Sequence, residues 1–138
     1  MNVRGLGNKQ KRWQVFEWLK DLNNSIYLLQ ETHALNKVEN NWKAEWKGEI
    51  FLSGNKSNSQ GVGILIHPKS TLSFIKCHEI VIGRLIACEL EINEKPFIIA
   101  NIYGTNIDDD QIIIKLQQFL TKHNDKSIIV GGDFDTVL

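Results

Sequence analysis

Neither sign of charge is in excess. Lys plus Arg and Asp plus Glu both number 16 in 138 residues, so net charge gives no argument for a nucleic-acid partner. Contact with a polyanion would have to come from a local patch. Cysteine is scarce too: Cys77 and Cys88 are the only two, too few for a disulfide scaffold. They read as buried free thiols of a reducing compartment, with one bridge between strands as the alternative. No apolar run approaches membrane-spanning length, and Met1-Asn2-Val3-Arg4-Gly5 lacks the apolar core of a signal peptide. The expectation is an intracellular protein, in nucleus or cytoplasm, with no membrane partner. Repeats and linkers are also missing. What is present is 42% hydrophobic content, enough for a core in a single domain over 1–138.

Periodicity sets out the elements. Residues 9–23 carry a broad helical apolar face of Val15, Phe16, Trp18, Leu19 and Leu22, with Asn8 as N-cap. Residues 25–30 form a strand buried on both faces. Trp42 and Trp46, four apart, place an irregular helical turn within 33–48. Strands follow over 49–53, 61–67, 71–78, 85–92 and 96–103, the last two joined by a hairpin turn at Asn93-Glu94-Lys95. In the strand over 85–92, Cys88, Leu90 and Ile92 alternate inward against Glu89 and Glu91 outward. Residues 110–122 form a second amphipathic helix on Ile112, Ile113, Leu116, Phe119 and Leu120. Ser127-Ile128-Ile129-Val130 closes the order as a short buried strand. On periodicity alone this is a two-layer α/β arrangement.

Polar residues recur where an apolar strand gives way to a loop. Gly131 and Gly132 turn the backbone and deliver Asp133 and Asp135, two apart and so facing one site. Paired acids beside an apolar strand call for metal binding or acid–base chemistry, since burying unpaired charge is costly. Glu31 follows residues 26–30, Tyr103 follows 97–102 with Asn106 three later, and Asn2 heads the chain. Loops at one end of a rigid sheet are where sites are built. Lys9, Lys11 and Arg12 read as a solvated helix face, the four tryptophans as core or partly buried surface, and the histidines as surface residues.

Five segments then occur in order: Asn2-Val3-Arg4-Gly5-Leu6-Gly7, Leu28-Leu29-Gln30-Glu31-Thr32-His33, Gly61-Val62-Gly63-Ile64-Leu65-Ile66, Asn101-Ile102-Tyr103-Gly104-Thr105-Asn106 and Gly131-Gly132-Asp133-Phe134-Asp135-Thr136. Together they resemble the successive motifs of the endonuclease/exonuclease/phosphatase family. Within it they are most similar to the apurinic-type endonuclease domain of LINE-type non-LTR retrotransposons. The resemblance implies a four-layer α/β sandwich that nicks a DNA phosphodiester with Mg²⁺ or Mn²⁺, leaving a 3′-hydroxyl to prime reverse transcription. It implies Glu31 as metal ligand, Asn2 steadying metal or phosphate, and Tyr103 donating to the scissile phosphate. Asn106 would hold the neighbouring phosphate, and Asp133 would orient or deprotonate water.

Two departures from the family pattern matter. The motif ordinarily ends Gly-Asp-Phe-Asn, and Asp135 stands where the asparagine would be. A carboxylate cannot donate a hydrogen bond, and it adds like charge beside Asp133, so this position is damaged or holds a variant ligand. The family's strand before Asn2, its remaining catalytic acid and its Ser-Asp-His motif find no counterpart within 1–138. The chain is thus expected to be the N-terminal part of the domain, inactive alone, its partners being DNA in the complete domain and a reverse-transcriptase region in the parent element. The alternative is a non-catalytic relic or interaction module of a decayed element.

Overall fold

A computed structural model describes residues 1–34, 38–54, 60–104 and 110–134. Three helices and seven strands follow in the order α1 (Lys9–Leu22), β1 (Ile26–Gln30), α2 (Glu39–Trp46), β2 (Ile50–Ser53), β3 (Val62–Ile66), β4 (Ser73–Val81), β5 (Leu85–Ile92), β6 (Lys95–Gly104), α3 (Asp110–Lys122) and β7 (Ser127–Phe134). Among the described residues no helix is long and apolar enough to cross a membrane.

The strands form two sheets, ordered β1-β3-β2 and β4-β5-β6-β7. All neighbours are antiparallel except β6 and β7, which α3 joins as a parallel pair. Asn93 and Glu94 make the β5–β6 hairpin at positive φ, 51° and 64°. Three apolar clusters define the layers. Helices α1 and α2 cover the outer face of the first sheet through Phe16, Leu19, Trp42 and Trp46. Val62, Ile64 and Ile66 meet Ile86, Cys88 and Ile99 between the sheets. Ile112, Leu116 and Phe119 of α3 cover Leu85, Ile98 and Ile102 outside the second sheet. The result is the four-layer α/β sandwich, not the two-layer arrangement that periodicity gave. Apolar residues along a strand do not say which element, if any, covers each of its faces.

Helix α1 departs from its expected face. Asn8 caps it as anticipated, its Oδ1 accepting from Lys11 N at 2.9 Å. Trp18 is 51% exposed and Leu22 47%, while Arg12 is buried beside Phe16 and Leu19. The reason is that Arg12 is richly partnered. Its Nε and Nη2 reach Glu45 at 2.6 and 2.8 Å, and Nη1 donates to the Leu6 and Gly7 carbonyls at 2.9 and 3.3 Å. Its guanidinium also lies 5.1 Å from the Trp42 ring centre. A cation so satisfied can be buried, and it pins α1 to α2. Lys11 stays half-exposed, its Nζ donating to the Arg4 carbonyl at the surface at 3.1 Å.

The hydrogen bonds from Arg12 hold the Glu45 carboxyl below the usual range, against partial burial. A depressed carboxyl contributes stability above its unfolded value, about 4.3, and loses that contribution as acidification carries the pH through its folded value. Glu45→Gln is therefore expected to cost about 1–2 kcal/mol at neutral pH. The cost should shrink below about pH 4. Urea melts of both proteins across that range check it; a cost independent of pH would remove the carboxylate from the account.

Three further expectations are corrected. Strand β7 continues to Phe134, so Gly131 and Gly132 lie inside it rather than in a turn. It is also not buried: Ile129 and Val130, on opposite faces, are exposed. His67 is buried, its ring held between the Lys20 carbonyl and Lys69 N, both at 3.0 Å, so it is not a surface histidine. As for the cysteines, Cys77 and Cys88 are free thiols facing each other across β4 and β5, Sγ to Sγ 2.8 Å. The hydrogen bond shared with Cys77, which engages the Cys88 thiol in its protonated form, and then burial push the Cys88 thiol up, as suits a core group.

Candidate active site at the strand ends

Residues 1–6 run beside β1 and set the site's first wall. Asn2 bridges Gln30 in parallel, and Val3, Gly5 and Leu6 donate backbone N–H groups to the Gln30, Glu31 and Thr32 carbonyls at 2.9, 2.6 and 2.9 Å. Glu31 sits immediately after β1 at φ +55°, a left-handed conformation that costs an L-residue about 1 kcal/mol. The Gly5 hydrogen bond holds it there.

The second wall comes from the other sheet. Tyr103 pairs with Asp133 across the parallel β6–β7 ladder. A side chain crosses from one wall to the other: Asn2 Nδ2 donates to Asp133 Oδ2 at 3.2 Å, while its Oδ1 accepts from Arg4 N at 3.0 Å. The two glycines permit this closeness. A Cβ on Gly131 would meet Leu28 Cδ1 of the facing sheet at 2.6 Å. One on Gly132, at φ +147°, would collide with the Ile102 carbonyl.

Asn2, Glu31, Tyr103 and Asp133 thus lie at one end of the sandwich, where β1, β6 and β7 all terminate. Asn106 and Asp135 fall outside the described residues. The Met1 amine stands here as well, donating to the Leu28 carbonyl at 2.6 Å. Burial pulls its pKa down and the Asp133 charge pulls it back up. The oxygen donors of Glu31, Asp133 and Asn2 fit a hard divalent ion. One lone pair on the Asn2 oxygen already serves Arg4, so its amide group is set first to orient Asp133.

Beneath this rim lies a residue the motif reading did not single out. Asn101 is fully buried in β6, and its Nδ2 donates to the Leu29 and Gly63 carbonyls, both at 2.9 Å. Its Oδ1 accepts from Gln30 Nε2 at 2.8 Å. One carboxamide thereby ties β6 to β1 and β3 across the sandwich, directly below Glu31 and Tyr103. The sequence signal was a polar residue inside the apolar run 97–102. Arg84 was also overlooked; its Nε donates to the Tyr103 carbonyl at 3.3 Å, placing a cation at the same rim.

Elsewhere, His78, Glu89 and His123 bring three ligand atoms within 4.8 Å of one another and could hold a divalent metal. Glu89 was expected to point outward. Instead it turns under α3, its side chain 11% exposed, with His78 Nε2 at 2.7 Å and Lys126 Nζ at 2.5 Å. Hydrogen bonds from Lys126 and then His78 lower its carboxyl to about 2. Sequence periodicity could not see this, because the partners come from β4 and from beyond the end of α3.

No family model matches the sequence. The chain is 27% identical over 141 residues to a 149 kDa protein of transposon TX1 from Xenopus laevis, covering 100% of this chain but 11% of that protein. Among solved structures it resembles the endonuclease domain of TRAS1, a telomere-specific non-LTR retrotransposon, with TM-score 0.71 and 14% identity over 96% of the chain. The APE2 catalytic domain of Xenopus laevis gives 0.69 and 16% over 98%. The chain spans 57% of each of those two. At such identities the likeness is one of fold, and the fold is that of the endonuclease/exonuclease/phosphatase superfamily.

Proposed function

We propose that the chain is the N-terminal part of a metal-dependent phosphodiesterase of the endonuclease/exonuclease/phosphatase family, from the branch whose members nick DNA within retrotransposons. The observation that carries this reading is the Asn2–Asp133 hydrogen bond, which joins the two walls beside Glu31 and Tyr103. The similarity to a transposon protein along the whole chain supports the branch.

In this reading Asp133 takes the proton of the attacking water, with Asn2 holding the carboxylate in line. Water oxygen bonds to phosphorus as the bond to the 3′ oxygen breaks; the phosphate stays on the 5′ side, and the departing 3′ oxygen takes a proton from solvent to become a 3′-hydroxyl. The Tyr103 phenol donates to a phosphate oxygen, and Asn106 holds the adjoining phosphate. Glu31 would hold Mg²⁺ or Mn²⁺, which supplies charge neutralisation at the phosphate when bound.

A graft tests it. The chain fused to the remaining part of the TRAS1 endonuclease domain should nick supercoiled plasmid in Mg²⁺, where the 138-residue chain alone should not. Asp135→Asn in the graft should raise the initial rate at least about tenfold, because it restores a donor and removes a charge beside Asp133. A folded graft that nicks in neither form would sink the proposal. If the Asp135→Asn graft is instead the slower of the two, Asp135 is a working ligand.

A further inference from the structure

Independently of the strand-end site, we propose that His78, Glu89 and His123 form a second metal site, one for Zn²⁺ or a similar late transition metal, that locks the end of α3 onto the sheet. The cluster sits on the α3 side of β4 and β5. Glu89 pairs with Ile98, five residues before Tyr103 on β6, so it lies roughly 17 Å along the strands from the rim. It is therefore no part of the candidate phosphodiesterase centre.

Four observations carry the assignment. The three ligand atoms already fall within 4.8 Å of one another, though they come from β4, β5 and the residue following α3. Tetrahedral coordination at about 2.0–2.1 Å per bond asks only for small side-chain adjustments from that start. His123 has its other ring nitrogen engaged as metal-bound histidines do: Nδ1 lies 3.0 Å from the Phe119 carbonyl, which leaves Nε2 as the lone-pair nitrogen. The ring is further held by Phe119, 4.4 Å away between centroids, with His78 5.7 Å away. Lys126 binds Glu89 Oε1 while His78 faces Oε2, so one carboxylate oxygen can ligate without displacing the lysine.

The donor set decides the metal. Two imidazoles and one carboxylate suit zinc, nickel, cobalt or copper, whereas magnesium and calcium require oxygen-rich shells. Water would complete the fourth position. Because the ligands come from three elements, metal bound only by the folded state would hold α3 against the sheet.

Isothermal titration of the 138-residue chain with ZnCl₂, with MgCl₂ in parallel, is the first measurement. One equivalent should bind at about 10 μM or tighter, with no comparable Mg²⁺ binding. A hundredfold excess over Kd should raise Tm by roughly 5 °C or more. His123→Ala should weaken binding at least about tenfold, as should Glu89→Gln, while His33→Ala should not. Circular dichroism establishes that each variant is folded, and His123→Ala, at a half-buried helix end, is the variant expected to keep its fold. The Co²⁺ complex should show a tetrahedral ligand-field spectrum without a thiolate charge-transfer band. Absence of saturable Zn²⁺ binding, undiminished affinity in His123→Ala, or a thiolate band pointing to Cys77 and Cys88 would each overturn the proposal.

Discussion

Asn101→Leu is expected to lower stability by about 3–5 kcal/mol, the loss of three buried hydrogen bonds partly offset by new apolar contact. In a chain of this length that corresponds to a fall in Tm of roughly 10–20 °C. Leucine matches asparagine in heavy-atom count but is bulkier, so no cavity forms and any packing cost is one of overpacking. The cost arises because Gln30 Nε2 loses its closer acceptor, keeping only the Leu28 carbonyl at 3.4 Å, and the Leu29 and Gly63 carbonyls lose a donor, in a region closed to water. Gln30→Leu alone should cost less, since it removes only one of those bonds. The double variant should then cost clearly less than the sum, because with both polar groups gone neither strands the other. Denaturant melts of the four proteins give the cycle. A loss under about 1 kcal/mol for Asn101→Leu would mean that apolar packing, not this carboxamide, holds the sheets together.

How much of this was legible depended on whether the deciding contact was local. Helix α3 and strand β5 matched their expected bounds residue for residue, because each carries an unbroken period and a clear stop. Asn8 announced its own cap. Arg12 misled, since its burial depends on Glu45, thirty-three residues away, and on two carbonyls of the N-terminal loop. Trp18 misled in the opposite sense: a tryptophan on an apolar stripe is buried only if an element lies over it, and none of the described ones covers it. Glu89 obeyed strand alternation and still turned out buried, because the face it points to is covered by α3 and supplied with Lys126. Periodicity gives the direction of a side chain; what meets it there is a tertiary fact.

The candidate site divides along the same line. The placement of Glu31, Tyr103 and Asp133 at one rim was legible, because each lies within a residue of the end of its strand, and strand ends gather when sheets stack. The crossing from Asn2 to Asp133 was not visible, since 131 residues separate them. Nor could the sequence place the side-chain oxygen of Asn2, which the nearby Arg4 N–H engages. Gly131 and Gly132 were noticed for the wrong reason. Their lack of a side chain is needed for sheet-to-sheet and strand-to-strand approach beside the site, not for a turn.

Within the active graft, Glu31→Gln and Asp133→Asn should each lower the initial nicking rate by about 10²–10⁴-fold at fixed Mg²⁺. Asp133→Asn keeps the shape and the hydrogen-bond partner of the carboxylate but removes its basicity, so the loss should appear in turnover and leave DNA affinity nearly unchanged. Glu31→Gln removes a charge from the ion's shell and should be partly rescued by raising Mg²⁺ or substituting Mn²⁺. That rescue separates a metal ligand from an acid–base group. Asn2→Ala acts only through its neighbours, so it should cost less, on the order of tenfold, and its effect should nearly vanish when Asp133→Asn is already in place. A merely structural Asn2 would instead cost the same in both backgrounds. If both carboxylates can be neutralised with less than about a threefold loss, nicking by the graft does not use this rim, and the convergence of Asn2, Glu31, Tyr103 and Asp133 is packing rather than catalysis.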